Sequence, residues 1–443
     1  PLGLGYVAKT LTIEGHDVEI LDINALRSSE EELMNAIRSS QFDVVGIGGM
    51  VTVYQEVKKL ARACKEYHPD KPILAGGSVA TSIPKTLLEK TDVDIACIGE
   101  GEVTTIEVVN ALRHSQSLEG IKGVWFKKEG NGLVANAPRP FIKDIDTIPF
   151  PSYHLLPMDI YLRNPIGFLN IKKWDHGESD EDMDLSINIT SSRGCVFKCI
   201  YCYHDFMGAK YRKRSPMNII EEIEFLIGQY GPKYFHFIDD NFVTHRKSVF
   251  EFCDLIHDRK INITWGCSGR INSMDEKLLV TMKDAGCRFI TYGIESGSQK
   301  MLDVMKKQVK IEKVKEVLKL SMKHIGMPSC TFIVGTPGEN RDTIQETVDF
   351  CRELNLIPEA IFFVTPYPGT ELYQMALRTG KLSLETEEEF VLSLGEQGEQ
   401  LLVNFSEISD EELIELKWKM ADELGAQNLK KHVLQEGVEK SLS

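Results

Sequence analysis

Thr190–Tyr203 reads TSSRGCVFKCIYCY, with cysteines at Cys195, Cys199 and Cys202. Their C-x3-C-x2-C spacing gathers three soft thiolate ligands on one short loop. Such ligands suit an iron–sulfur cluster, and a 4Fe–4S cube normally takes four. Three cysteines hold three corners and leave one iron open to a further ligand, as a reaction centre requires. The preceding DLSINITSSRG is an apolar run ending in Ser, Arg and Gly. It predicts a strand that feeds a loop, with the cysteines just past the strand's C-terminal end. A zinc site would want a fourth Cys or His at a familiar spacing, and His204 is too close to Cys202.

Downstream of this loop the strand-then-helix pattern recurs until six strands are counted. The predicted strands are Leu185–Thr190, Tyr234–Asp239, Asn262–Cys267, Arg288–Gly293, Pro328–Val334 and Ala360–Thr365. Six such units predict a full or partial parallel barrel whose site lies at the strands' C-terminal face. The endings SSRGC, IDDNF, CSGRIN, GIESGS, VGTPGE and TPYPGT are nearly all polar or glycine-rich. Ser215-Pro216 marks the first helix start, with a cap and a proline in the first turn.

Upstream, strands and helices also alternate. A helix over Leu2–Glu14 precedes strand Val18–Asp22, a helix over Ser29–Arg38 and strand Asp43–Gly49. A helix over Tyr54–Tyr67 and strand Pro72–Gly77 follow, then a helix from Pro84, strand Val93–Glu102 and a helix to His114. This alternation predicts an α/β fold with a doubly wound parallel sheet, whose ligands bind at strand C-terminal ends. Those ends, GIGGMVT, AGGSVAT and GEGE, are small enough to let a ligand approach the backbone. Gly120–Ala137 predicts a β-hairpin turned at Asn131-Gly132. Residues 138–184 read as a linker and cap, and 382–443 as a mainly helical C-terminal segment.

The three-cysteine loop resembles the C-x3-C-x-aromatic-C signature of the radical S-adenosylmethionine (SAM) superfamily, with Tyr201 as the aromatic. The order of elements before it, from PLGLGYVAKTL to GEGE, resembles the cobalamin-binding domain that precedes many radical SAM domains. IPFPSYHLL (Pro149, Pro151, Tyr153) is similar to the usual connection. The resemblance covers Pro1–Lys381 and is strongest to the group with the anaerobic Mg-protoporphyrin ester cyclase and hopanoid-modifying enzymes. It implies domains at 1–137 (cobalamin-binding, Rossmann-like), 138–184 (linker) and 185–381, a partial TIM-type (β/α)6 radical SAM barrel. The family's first strand has no counterpart here, so the chain reads as one whose true start is missing.

The resemblance also implies cofactors: a 4Fe–4S cluster, SAM and cobalamin. In the family the open iron chelates SAM, whose cleavage yields a 5′-deoxyadenosyl radical. Hydrogen abstraction from an unactivated carbon and methyl delivery from methylcobalamin would follow. By position, Asp239 and Asp240 would meet the methionine ammonium and Arg270 the carboxylate. Glu295 and Ser296 would meet the ribose or methionine end. Gly335, Pro337, Gly338, Glu339 and Thr365 would wrap the adenosyl group. Met50, Val51 and Thr52 would lie under the corrin, Gly76, Gly77 and Ser78 along its tail, and Gly99, Glu100 and Gly101 nearby. The D-x-H-x-x-G motif that ligates cobalt in many cobalamin proteins is absent, so no histidine from it is expected on the lower face.

Composition narrows the alternatives. The chain has 443 residues and a formal net charge of −15. That charge disfavours nucleic acid as the main partner, since phosphate binding needs a basic face. No apolar run reaches the ~20 residues of a membrane span. Six acids in Asp175–Asp184 and ten in Glu385–Ile414, without Lys or Arg, read as solvated loops and helix faces. Ten cysteines without a secretion signal fit a reducing cytoplasm. The expected partners are a small-molecule substrate and a flavodoxin- or ferredoxin-type reductant. The alternatives are a radical cyclase or rearrangement enzyme, a tRNA methylthiotransferase and a non-catalytic iron–sulfur protein. The methylthiotransferase would need a second cysteine trio, and only Cys64 and Cys97 precede residue 195.

Overall fold

The computed structural model describes residues 1–128, 130, 132–163, 185–203, 206–208, 210–395 and 400–426. The hairpin residue Asn131, residues 164–184 of the predicted linker and cap, and the last part of the C-terminal segment lie outside the described residues. Within them the chain forms two compact units. The first comprises Pro1–Asn164, Tyr203–Arg214 and Tyr367–Glu396; the second comprises Pro165–Cys202, Ser215–Pro366 and Gln397–Ser443.

The first unit is built on three parallel strands, β1 (Val45–Gly48), β2 (Ile73–Gly76) and β3 (Ile95–Cys97), extended by the antiparallel hairpin β4 (Val124–Lys128) and β5 (Gly132–Ala135). Their order is sequential, with Val45 opposite Ile73 and Leu74 opposite Ile95. Leu74, Ile95, Cys97, Val108, Val124 and Phe126 form a core beneath the sheet. The helix Leu2–Ile13 packs on the helix Gly101–Arg113, and Glu30–Ser39 packs on Tyr54–Tyr67. Ser29 and Glu32 close a reciprocal capping box at one of these helix starts.

Residues Val18–Asp22, expected as a strand, form no ladder. A strand exists only as a paired element, and β1 ends the order of its sheet with no described strand beyond it. Asp22 instead accepts the Ala25 amide (3.1 Å) and caps a single turn, Ile23–Leu26.

The second unit carries six parallel strands in chain order: β6 (Ser186–Ile189), β9 (Tyr234–Phe237), β10 (Thr264–Gly269), β11 (Cys287–Glu295), β12 (Ser329–Val334) and β13 (Ala360–Phe363). Two two-residue strands, β7 (Ser192–Arg193) and β8 (Arg212–Lys213), lie outside both large sheets. The outermost strands β6 and β13 are not joined, so the sheet is a half-barrel. Because all six run the same way, every C-terminal end opens on one edge.

Phe237, Phe242 and Phe252 surround Trp265 with centroids 5.4–5.7 Å away. Rings of this size bury roughly 150–250 Å² each, and this cluster anchors β9 and β10 to the helix behind them. The predicted cap holds: Ser215 accepts the Asn218 amide, with Pro216 at the first helical position. Ser409 accepts the Glu412 amide ahead of the helix Asp410–Leu424. The Glu412 carboxylate does not return to the cap but pairs with Arg341.

Candidate active site

The three cysteines follow β6 on a loop. Cys199 is buried, Cys195 half-buried and Cys202 exposed. The Cys202 amide donates to the Cys199 carbonyl (3.1 Å), a tight turn that brings the two residues together. The Cys202 thiol hydrogen-bonds the Cys199 sulfur. That bond, then the charges of Lys307 and Arg270, draw the Cys199 thiol below its usual range, while Cys202 is pushed up in return. Burial raises Cys195. The Arg270 guanidinium carbon lies over Phe197, 3.5 Å from the ring centroid, and Arg270 Nη1 donates to Cys199 Sγ at 3.5 Å.

Among the described residues no three His, Cys, Asp or Glu side chains gather as around a single ion. Three thiolates carry three negative charges, and here two cations stand beside them. The donor set, the loop geometry and the charge fit a cluster bound by Cys195, Cys199 and Cys202.

Tyr201, the aromatic between the last two cysteines, donates to Glu295 Oε1 (3.0 Å). The same oxygen accepts Lys307 Nζ at 2.7 Å, and Lys307 also reaches Tyr201 Oη at 3.3 Å. Glu295 and Lys307 are both buried. Glu295 sits at a register shift at the end of β11 with φ +70°, a conformation a non-glycine residue adopts only when its surroundings impose it. A side chain on Gly293 would fall 2.4 Å from Glu295 Oε1, so that glycine makes room for the carboxylate.

Several expected SAM contacts already have partners in the protein. Both Asp239 oxygens hold the turn after β6, accepting the Ser191 amide (3.0 and 3.1 Å) and the Ser191 and Ser192 hydroxyls (3.1 and 2.5 Å). Burial pushes Asp239 up to about 6 despite these donors. Asp240 is exposed. Ser296 bonds Thr347 (3.1 Å) and the Ser298 amide (3.1 Å). Glu339 closes its own turn by accepting the Gly335 and Thr336 amides, and burial raises it to about 7. The Thr365 hydroxyl turns back on the Phe363 carbonyl (3.4 Å).

Two buried polar groups at the strand ends lack partners. Both side-chain amide atoms of Asn241 are unbonded although the residue is 2% exposed, and Arg270 Nε is likewise unbonded. A buried amide without a partner costs on the order of 1–3 kcal/mol. Zwitterionic SAM offers both acceptors and donors, so this orphaned pair fits it. Asn241 stood in the quoted IDDNF ending but was not singled out. Lys307 was missed altogether; its neighbour Lys306 carries the same side chain, and only the backbone decides which one turns inward.

In the first unit, β1–β3 end in the three predicted glycine segments. Val51 N bonds Ser78 Oγ (3.0 Å), which ties two of the segments together. Gly99 N bonds Thr81 Oγ1 (2.9 Å). Gly77 has φ +85°, and a Cβ there would stand 2.4 Å from the Gly49 carbonyl oxygen, so chain geometry alone demands glycine. Gly101 faces Val7 across a helix contact. Glu100 turns inward, bonding Arg212 Nη1 (2.6 Å) and the Ile142 amide (2.7 Å). Gly76, by contrast, has nothing within 4 Å of where its Cβ would lie, and Met50 is 58% exposed on the same rim. An open glycine beside an exposed apolar side chain fits a large flat cofactor with a tail.

A half-barrel with three cysteines beyond its first strand, in one chain with an open-rimmed Rossmann-like sheet, defines a radical enzyme with a second cofactor domain. A family profile described as the radical SAM superfamily matches residues 189–351, and one described as the B12 binding domain matches residues 1–109. An uncharacterized methyltransferase of Pyrococcus horikoshii is 33% identical over 389 residues, covering 86% of this chain and 79% of its own. The anaerobic magnesium-protoporphyrin IX monomethyl ester cyclase of Rubrivivax gelatinosus is 27% identical over 382 residues, covering 84% and 66%. The fold is shared with the radical SAM methyltransferase TsrM of Kitasatospora setae, solved with cobalamin and a [4Fe–4S] cluster (TM-score 0.69, 19% identity, 86% and 72% covered). The chain belongs to the cobalamin-binding radical SAM enzymes, with SAM, a 4Fe–4S cluster and cobalamin as its cofactors.

Proposed function

We propose that this enzyme transfers a methyl group to an unactivated carbon of a small molecule. The observation that carries the reading is the pairing, in one chain, of a three-cysteine loop with an open glycine rim on the B12-binding sheet. The cluster and SAM supply a carbon radical when bound, and cobalamin supplies the methyl group. Cys195, Cys199 and Cys202 hold the cluster. Asn241 and Arg270 orient the methionine end of SAM, and Asp239 shapes the turn beside it. Met50 and Gly76 border the cobalamin site. The names of the Pyrococcus relative and of TsrM support methylation. The Rubrivivax cyclase supports a second reading, ring formation on the same scaffold.

The net charge of −15 supports a small-molecule substrate over nucleic acid. An acidic one-electron carrier of the flavodoxin or ferredoxin type remains our proposed reductant. The ten cysteines, none joined in a disulfide, support a reducing cytoplasm. No described helix is long and apolar enough to cross a membrane.

The deciding experiment needs no substrate. Cobalamin-loaded protein, reduced anaerobically with titanium(III) citrate, is mixed with SAM. A methyltransferase forms about one S-adenosylhomocysteine per bound cobalamin. Formation of 5′-deoxyadenosine with no S-adenosylhomocysteine would overturn methylation and leave the ring-forming reading.

A further inference from the structure

The segment Met305–Gln308 follows the short helix Gln299–Val304 and lies against the cysteine loop. Its four consecutive carbonyls all accept bonds from that loop or from the residues after β10. Met305 O accepts the Ile200 amide (3.2 Å), and Lys306 O faces Cys199 Sγ (3.9 Å). Lys307 O accepts Arg270 Nη2, and Gln308 O accepts Asn272 Nδ2 (2.5 Å). Four carbonyls spaced along one segment cannot all face one neighbour in a regular helix or strand. The chain meets this by placing Lys306 (φ 55°) and Gln308 (φ 56°) in left-handed conformations. Neither is glycine, so the segment stores strain that its contacts must offset.

The residue between these two turns is Lys307. It is 8% exposed, and its ammonium bonds Glu295 and Tyr201. A lysine is almost never buried without a partner. Here the partner carboxylate lies on the barrel and the tyrosine lies within the cysteine motif.

From this geometry we infer that Met305–Gln308 is the clamp that seats the cluster loop, and that Lys307 is its positioning residue, placing a fixed positive charge beside the thiolates. The inference rests on the cluster reading of the three cysteines. The cluster gains one negative charge when it accepts an electron from the external reductant. A fixed cation nearby favours that uptake, so Lys307 raises the reduction potential. Glu295 keeps the ammonium in place, and the Arg270 guanidinium adds a second cation from the residue after β10.

The test is anaerobic reconstitution of the full chain with iron and sulfide, followed by redox titration with deazaflavin-generated reductant and electron paramagnetic resonance. Lys307→Gln should keep about four irons per chain but be harder to reduce. At one fixed potential its reduced-to-oxidised ratio should fall about tenfold, equivalent to 59 mV for a one-electron couple. Lys307→Arg should restore the parental potential. An unchanged potential in a loaded Lys307→Gln protein overturns the charge role. If the Gln variant loads no iron, Lys307→Arg decides: loading at the parental potential supports the clamp, and failure to load overturns it. Absence of any iron from the parent chain would instead refute the cluster reading itself.

Discussion

Asp239 and Glu339 show how much the setting of a carboxylate changes its task. Both were expected to face SAM, but Asp239 binds the turn after β6 and Glu339 binds the backbone of its own loop. For Glu339 the consequence is measurable. A free glutamate titrates near about 4.3, whereas burial lifts Glu339 to about 7. The folded chain therefore keeps this proton to higher pH than the unfolded chain. The associated stability is complete below about pH 4 and is lost as pH rises through 7, on the order of 3–4 kcal/mol between the limits. Glu339→Gln keeps an acceptor for Gly335 and Thr336 but cannot ionise. Its urea midpoint, relative to the parent, should climb from pH 5 to pH 8. A difference that stays flat over this range would show that the carboxyl ionises normally in the fold.

Among the elements, the strands and their endings were legible because period-2 apolar runs and glycine-rich breaks leave a local trace. All six barrel strands and β1–β3 fall where the sequence put them. Val18–Asp22 was misread because pairing is not local: the residues favour a strand, but nothing described lies alongside. The site was legible in its residue types more than in their roles. Glu100, Asp239, Ser296 and Glu339 stand at the expected strand ends, and each side chain bonds groups of the protein itself. Lys307 was hidden because its direction is set by two left-handed neighbours, which composition does not reveal.

The glycines after β2 separate these two kinds of information. Gly77→Ala should destabilise the first unit by about 2–4 kcal/mol, because its Cβ meets the Gly49 carbonyl at positive φ. Gly76→Val should fold close to normally, since the space beside it is open. If that space receives the cofactor tail, the valine variant should bind little hydroxocobalamin, read from visible absorbance after gel filtration. Full uptake by a folded Gly76→Val protein would remove Gly76 from the cobalamin site.

On the scale of the whole molecule, continuity in sequence and membership of a unit part company. Tyr203–Arg214 comes directly after the last cluster cysteine but belongs to the first unit. Arg212 anchors it there, pairing with Glu100 where both side chains are under a tenth exposed, and lying 4.9 Å from the Phe141 ring. Arg212→Ala would strand the Glu100 charge, at a cost of about 3–5 kcal/mol. Arg212→Met with Glu100→Gln should cost clearly less, because no unpaired charge is left behind. Denaturation midpoints of the three proteins test this; equal losses in the single and double variants would refute it.

Tyr367–Glu396 binds the first unit in the same way. Glu388 receives Lys58 (2.6 Å) and Tyr54 (2.9 Å), while Glu387 bonds Thr86 and Tyr373. These partners emerge from the ribosome far apart in time. At synthesis speeds of about 5–20 residues per second, roughly 10–50 s separate Asn164 from Glu396. For that interval Tyr54 lacks Glu388 and Thr86 lacks Glu387, while nearly all the half-barrel is being made. The sheet of the first unit is thus made early, and its contacts with Glu387 and Glu388 are completed only after the half-barrel has been synthesised.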